Sequence, residues 1–90
     1  MFKLWLEFED YSPRVEKDDC FNIEVDCDGE QYAMTVWSYD YMREALSKHE
    51  THLMPPDLLV VEGTREDVAT AIIDLIECDK LPEHCKISED

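Results

Sequence analysis

Phe21-Asn-Ile-Glu-Val-Asp-Cys-Asp-Gly-Glu-Gln-Tyr-Ala-Met-Thr-Val-Trp37 is the stretch that decides the fold. Asp28-Gly29 sits between two alternating runs, the strongest short-range signal of a β-hairpin. A type I′ turn needs positive φ at both central residues, and Asp-Gly tolerates it. With Asp28 and Gly29 as the loop, Cys27 faces Glu30, Val25 faces Tyr32, Ile23 faces Met34 and Phe21 faces Val36. Strand side chains alternate with period two, so these residues share one face. Asn22, Glu24, Asp26, Gln31, Ala33, Thr35 and Trp37 take the other. A one-residue slip would put Phe21, Ile23 and Val25 into water.

Toward the N-terminus, Phe2 to Glu9 alternates as a strand. Phe2, Leu4, Leu6 and Phe8 would line the buried face, and Lys3, Trp5, Glu7 and Glu9 the solvated one. A polar loop from Asp10 to Cys20 follows, with Ser12-Pro13 and the acidic pair Asp18-Asp19. Toward the C-terminus, Ser38 is placed to cap a helix from Tyr39 to about His49, with Tyr39, Met42, Ala45 and Leu46 at helical spacing. Pro55-Pro56 forbids its continuation. Leu58-Leu-Val-Val61 is an apolar run suited to a buried strand. Thr64 is placed to cap a second helix carrying Val68, Ala71, Ile72, Leu75 and Ile76 at i, i+3, i+4, i+7 and i+8. Pro82 ends that segment, and about 82–90 reads as a polar tail. The expectation is one domain over 1–90 of α+β class, in the order β-β-β-α-β-α. It would be a two-layer sandwich: an antiparallel sheet of three to four strands, with two helices on its apolar face. The expected core is Phe2, Leu4, Leu6, Phe8, Phe21, Ile23, Val25, Met34, Val36, Leu46, Leu59, Val61, Val68, Ile72 and Leu75.

Charge is the compositional anomaly. Twenty-three Asp and Glu against eight Lys and Arg give a net charge of −15 over 90 residues. That balance repels nucleic acid and anionic membranes and attracts basic surfaces. The N-terminus alternates where a secretory leader would carry a basic head and an apolar run, and no apolar stretch approaches a membrane span. A cytoplasmic protein is expected, with Cys20, Cys27, Cys78 and Cys85 reduced. Both cysteine pairs are spaced C-x₆-C, wider than structural zinc knuckles use.

No motif for catalysis or cofactor binding is complete. The two glycines fall in no phosphate-binding pattern. Asp26-Cys-Asp28-Gly29-Glu30 lacks the spacing of a calcium loop, and the hairpin explains the same residues. His49-Glu-Thr-His52 sits at a helix end, not at the i, i+4 spacing of a zinc protease. His84-Cys85, with Cys78, has the residue types of a thiolate–imidazole pair but falls in the polar tail, where rigid support is expected to be missing. The expectation is therefore no enzyme, no metal and no cofactor.

The strand Leu4 to Phe8, the strand Asp19 to Val25, the Asp28-Gly29 turn and the strand Tyr32 to Trp37 together resemble small acidic bacterial immunity proteins. These are antidotes of polymorphic toxin systems, including contact-dependent growth inhibition. The likeness spans roughly residues 2–76 and is one of size, charge and layout. It implies a partner: a cognate protein toxin, typified by a nuclease whose phosphate-binding groove is basic. An acidic surface could cover that groove, with charge steering encounter and aromatics holding the complex. The residues expected to make contact are Trp5, Glu7, Glu9, Asp18, Asp19, Glu24, Asp26, Asp28, Glu30 and Trp37. The rival reading is a small adaptor or secretion-chaperone-like module, paired with a partner or a second copy through its helices or the Leu58–Val61 edge.

Overall fold

In the computed structural model, which describes residues 2–48 and 52–87, Asp28 and Gly29 take φ values of 52° and 83°. Both therefore occupy the left-handed region that a I′ turn demands. The flanking strands are β2 (Cys20–Cys27) and β3 (Glu30–Ser38). Their register pairs Cys27 with Glu30, Val25 with Tyr32, Ile23 with Met34 and Phe21 with Val36, as the sequence requires. β1 (Phe2–Leu6) lies antiparallel to β2, with Leu4 opposite Val25 and Leu6 opposite Ile23. α1 spans Tyr39–Lys48, β4 spans Leu58–Val60 and α2 spans Arg65–Glu77. The fold is α+β in the order β-β-β-α-β-α, with sheet order β1-β2-β3-β4.

The sheet is mixed rather than antiparallel. β4 runs parallel to β3, pairing Val36 with Leu58 and Ser38 with Val60. Antiparallel neighbours can be joined by a tight turn, whereas a parallel pair needs a long crossover, here residues 39–57. The core lies between the sheet and α2. Leu6, Phe8, Phe21, Ile23, Val25, Tyr32, Met34, Val36, Val60, Val68, Ile72 and Cys85 form it, with Phe2, Leu4, Val15, Leu58, Leu75 and Leu81 packed around. Phe8 and Phe21 meet edge to face at 4.8 Å.

Three expected core residues are exposed instead: Leu46, Leu59 and Val61. In β4 it is Leu58 and Val60 that turn inward. A run without alternation carries no phase, so the parity of Leu58–Val61 could not be read. Leu46 is exposed because α1 buries none of its side chains. Tyr41 of α1 meets Trp37 with 4.9 Å between ring centroids, on the face opposite α2. Among the described residues only α2 is packed into the apolar face, so the expectation of two helices there is corrected. α1 starts directly from β3 with no linker to swing it across. Ser38 is buried at the joint. Its Oγ accepts from the Tyr41 amide at 3.2 Å, as an N-cap does, and donates to Asp19 Oδ1 at 2.9 Å.

β1 also stops earlier than its alternation implies. Glu7–Asp10 forms a 3₁₀ turn, which keeps Phe8 in the core but moves Glu7 and Glu9 off the strand. The loop that follows, containing a cis Ser12–Pro13 bond, is stitched to the turn before α2. Asp18 donates its amide to the Gly63 carbonyl at 3.0 Å, and Lys17 bridges Thr64. A Cβ on Gly63 would lie 1.6 Å from the Asp18 carbonyl oxygen, so only glycine fits that approach. Thr64 caps α2 as expected, accepting from the Asp67 amide at 3.2 Å. At the far end Asp79 takes a left-handed φ of 55°, and the Lys80 amide bonds back to the Leu75 carbonyl, a Schellman-type stop.

The tail is the other correction. Glu83–Cys85 forms a 3₁₀ turn that buries Cys85. Ile87 then donates its amide to the Gln31 carbonyl at 2.7 Å, and Lys86 bridges Tyr32. Residues 82–87 are thus part of the packed body, held along β3. His49 and residues 88–90 lie outside the described residues.

Candidate functional site: the open sheet face and the far edge of β3

The face of the sheet away from α2 is built by the alternation of β1, β2 and β3. Trp5 stands opposite Glu24, Lys3 opposite Asp26, and Asp26 opposite Gln31. These residues rim a shallow depression of about 200 Å³. Trp5 is 38% exposed, and its Nε1–H donates to Asp10 Oδ2 at 2.7 Å, which fixes the plane of the indole. Neither Glu24 nor Asp26 joins an ion pair among the described residues. The cations are largely occupied elsewhere: Arg14 and Arg65 on Glu9, Arg43 on Asp40, Lys48 on Glu44 and Lys86 on Glu30. The depression thus couples an exposed aromatic plane to two carboxylates that join no ion pair among the described residues, with Lys3 across the ladder from Asp26 as the cation on its rim.

The expected contact residues do not all belong to this site. Trp37 lies on the same face but opposite Cys20, four residues along β2 from Glu24 and two strands from β1. Ladder spacings place it about 16 Å from Trp5. It is half-buried and covered in part by Tyr41. The two indoles therefore form no common patch, because register sets them at opposite corners.

Glu7 accepts from the amide and the side chain of Asn22, at 3.2 and 3.4 Å, beyond the end of β1. Glu9 is held by both Nε and Nη2 of Arg65, at 2.8 and 2.7 Å, and Arg65 also donates to the Leu4 carbonyl. This charge-assisted bonding holds the Glu9 carboxyl below its ordinary range. Asp18 accepts from the Tyr11 hydroxyl, whose pKa is pushed up to about 12 mainly by that bond. Asp19 is tied to Ser38. Asp28 occupies the hairpin turn and, with Phe2, Lys3 and Asp26, lines a second hollow that shares Lys3 and Asp26 with the first. Glu30 belongs to the other face. It accepts from Lys86 Nζ at 2.9 Å and Tyr32 Oη at 3.1 Å, and the Lys86 bond leads the causes that lower its pKa. Of the ten, Trp5, Glu24, Asp26 and Asp28 are brought together, with Glu7 at the margin.

A second cluster lies on the side of β3 away from β2, where the sequence marked His84-Cys85 but not Asp57. Asp57 exchanges bonds with Thr35: its amide donates to the Thr35 carbonyl at 3.0 Å, and its Oδ2 accepts from the Thr35 amide at 2.9 Å. His84 Nε2 stands 3.3 Å from Asp57 Oδ1. One donor atom each from Asp57, His84 and Cys85 falls within 4.8 Å of the others. The Thr35 amide chiefly lowers the Asp57 pKa. Burial, then the neighbouring Asp57 carboxylate, pushes the Cys85 thiol up to about 11. Such a thiol is a poor nucleophile at neutral pH. Sequence reasoning matched His84-Cys85 with Cys78, but Cys78 is exposed at the end of α2, and the true third member lies 27 positions before His84. Pro82 marks the start of the 3₁₀ turn, but no local pattern in the sequence names Asp57.

The chain matches no family model, no curated protein and no solved structure at a significant level. No helix among the described residues is long and apolar enough to cross a membrane.

Proposed function

We propose that this chain is a cytoplasmic immunity protein that neutralises a cognate toxin, a basic nuclease, by docking its open sheet face over the substrate groove. The observation that carries the reading is the placement of exposed Trp5 beside Glu24 and Asp26, carboxylates that join no ion pair among the described residues, on a chain of net charge −15. A groove built to bind phosphates presents Lys and Arg. Two carboxylates beside an indole accept such a side chain twice over, by charge-assisted hydrogen bonds and by cation–π contact. The sheet supports both groups on rigid backbone, so little order is lost on binding. The rest of the negative charge acts at a distance and raises the encounter rate. On this reading the protein performs no reaction and binds neither nucleic acid nor membrane.

The test is co-purification with the protein encoded beside it, followed by nuclease assay. Wild type should bind and inhibit. The double reversal Glu24→Lys with Asp26→Lys should weaken binding by at least about tenfold, and Trp5→Ala by about thirtyfold. Glu77→Lys, at an exposed position of α2, should change neither beyond a small loss of steering. A neighbour that neither binds nor is inhibited would overturn the proposal. So would face variants that behave as Glu77→Lys does.

A second reading, the adaptor module, is favoured by one observation. Tyr39, Leu59 and Val61 are exposed and, with residues of α2, line a hollow beside β4, at the edge of the sheet. An apolar dock there would bind with little salt dependence, whereas the acidic face loses affinity as salt rises.

A further inference from the structure

We propose that Asp57, His84 and Cys85 form a zinc site that clamps the C-terminal segment to the edge of β3. The geometry is specific. Tetrahedral Zn²⁺ with bonds of about 2.0–2.2 Å to nitrogen and oxygen and 2.3 Å to sulfur separates its ligand atoms by about 3.3–3.6 Å. His84 Nε2 and Asp57 Oδ1 already stand 3.3 Å apart, and the Cys85 sulfur lies within 4.8 Å of both. Side-chain rotation of the order of 1 Å closes the remainder, with the bonds at their usual lengths.

The donors are held from both sides. Asp57 is fixed by its two bonds to Thr35, one through its own amide and one that occupies Oδ2 and leaves Oδ1 facing His84. A ligand carboxylate oriented by a backbone amide is the usual outer-shell arrangement of a metal centre. His84 and Cys85 share one 3₁₀ turn, fastened two residues later where Ile87 bonds Gln31. Imidazole, thiolate and a single carboxylate select a borderline-soft divalent ion over calcium or magnesium. Burial and the Asp57 carboxylate both oppose ionisation of the Cys85 thiol on its own. A dication between the two groups reverses that sign, and the thiol proton leaves to solvent as the Zn–S bond forms. Three protein ligands leave a fourth position for water, open to the solvent that reaches His84.

The test uses the whole protein with Zn²⁺ and Co²⁺ alone. Cobalt should bind with one-to-one stoichiometry and give the intense visible bands of a tetrahedral site plus a thiolate charge-transfer band. Zn²⁺ should displace it and raise the melting temperature. Cys85→Ser should abolish the charge-transfer band. Cys85 is buried, so that variant also risks the fold. His84→Ala carries no such risk, since the side chain is 74% exposed. It should keep the wild-type circular dichroism, lose zinc affinity by at least about tenfold and lose the thermal shift. Cys78→Ser should bind as wild type. Absence of one-to-one binding to wild type overturns the proposal. So does a folded His84→Ala with undiminished affinity, or a charge-transfer band that disappears with Cys78 instead of Cys85.

Discussion

The two sides of β3 are built by opposite means. Toward β2 it pairs along its whole length, from Cys27–Glu30 to Cys20–Trp37, through a turn two residues long. Toward the other side it is covered in pieces: Leu58–Val60 over one half, Lys86 and Ile87 over the other, with Asp57, His84 and Cys85 near their junction. The first side is local in sequence, so its hydrogen bonds come with little loop-closure cost. The second brings together residues up to 56 positions apart, as Lys86 and Glu30 are, and each piece must be anchored separately. The hairpin should therefore be the stable unit, and the pieced side the one that opens first.

The severest way to break this contrast is at the centre of the hairpin. Ile23 is fully buried between β1 and β3, and Ile23→Ala should cost about 4 kcal/mol in urea denaturation, unfolding both sides together. Gly63→Ala strikes instead the stitching of the loop before β2 to the turn before α2. Its methyl group meets the Asp18 carbonyl, and a loss of about 3 kcal/mol is expected by the same measurement. A loss under about 1 kcal/mol would mean that the loop before β2 yields easily.

Arg65→Ala sharpens the comparison at β1. It removes the bonds to Glu9 and Leu4, for about 1 kcal/mol at low salt, since the side chain is half exposed. The sign with pH follows from Glu9. Its folded pKa lies below the ordinary 4.5 because Arg65 bonds the charged form. The contribution is thus complete above 4.5 and is lost as pH falls through the lowered folded value. Wild type and Arg65→Ala should differ at pH 7 and converge in acid. Smallest is Asp79→Gly, which relieves the left-handed φ at the end of α2 and should add about 0.5 kcal/mol.

The same contrast decides what could be read in advance. Asp28-Gly29 and the alternation around it set the β2–β3 register without outside information, and Thr64 and Ser38 announced their caps through local chemistry. Leu58–Val61 offered hydrophobicity without phase, so the inward pair was mistaken. Leu46 sat at helical spacing, but nothing local says whether a helix finds a surface to cover. Cys85 becomes buried, and Val15 partly so, only through contacts made far along the chain. The candidate face was half legible for the same reason. Trp5, Glu24 and Asp26 follow from strand parity. The loss of Glu9 to Arg65, 56 positions away, and the 3₁₀ turn that removes Glu7 do not. Asp57 with His84 was invisible, since each belongs to a segment without periodicity.

The bond from the Trp5 indole to Asp10 holds a natural fluorophore at the mouth of the open face. With Trp37 replaced by Phe, its emission alone would remain, shifting to the blue as a protein excluded solvent from the ring and staying still for anything that landed elsewhere. The chain thus carries its own unlabelled gauge of where, and how fast, it is covered.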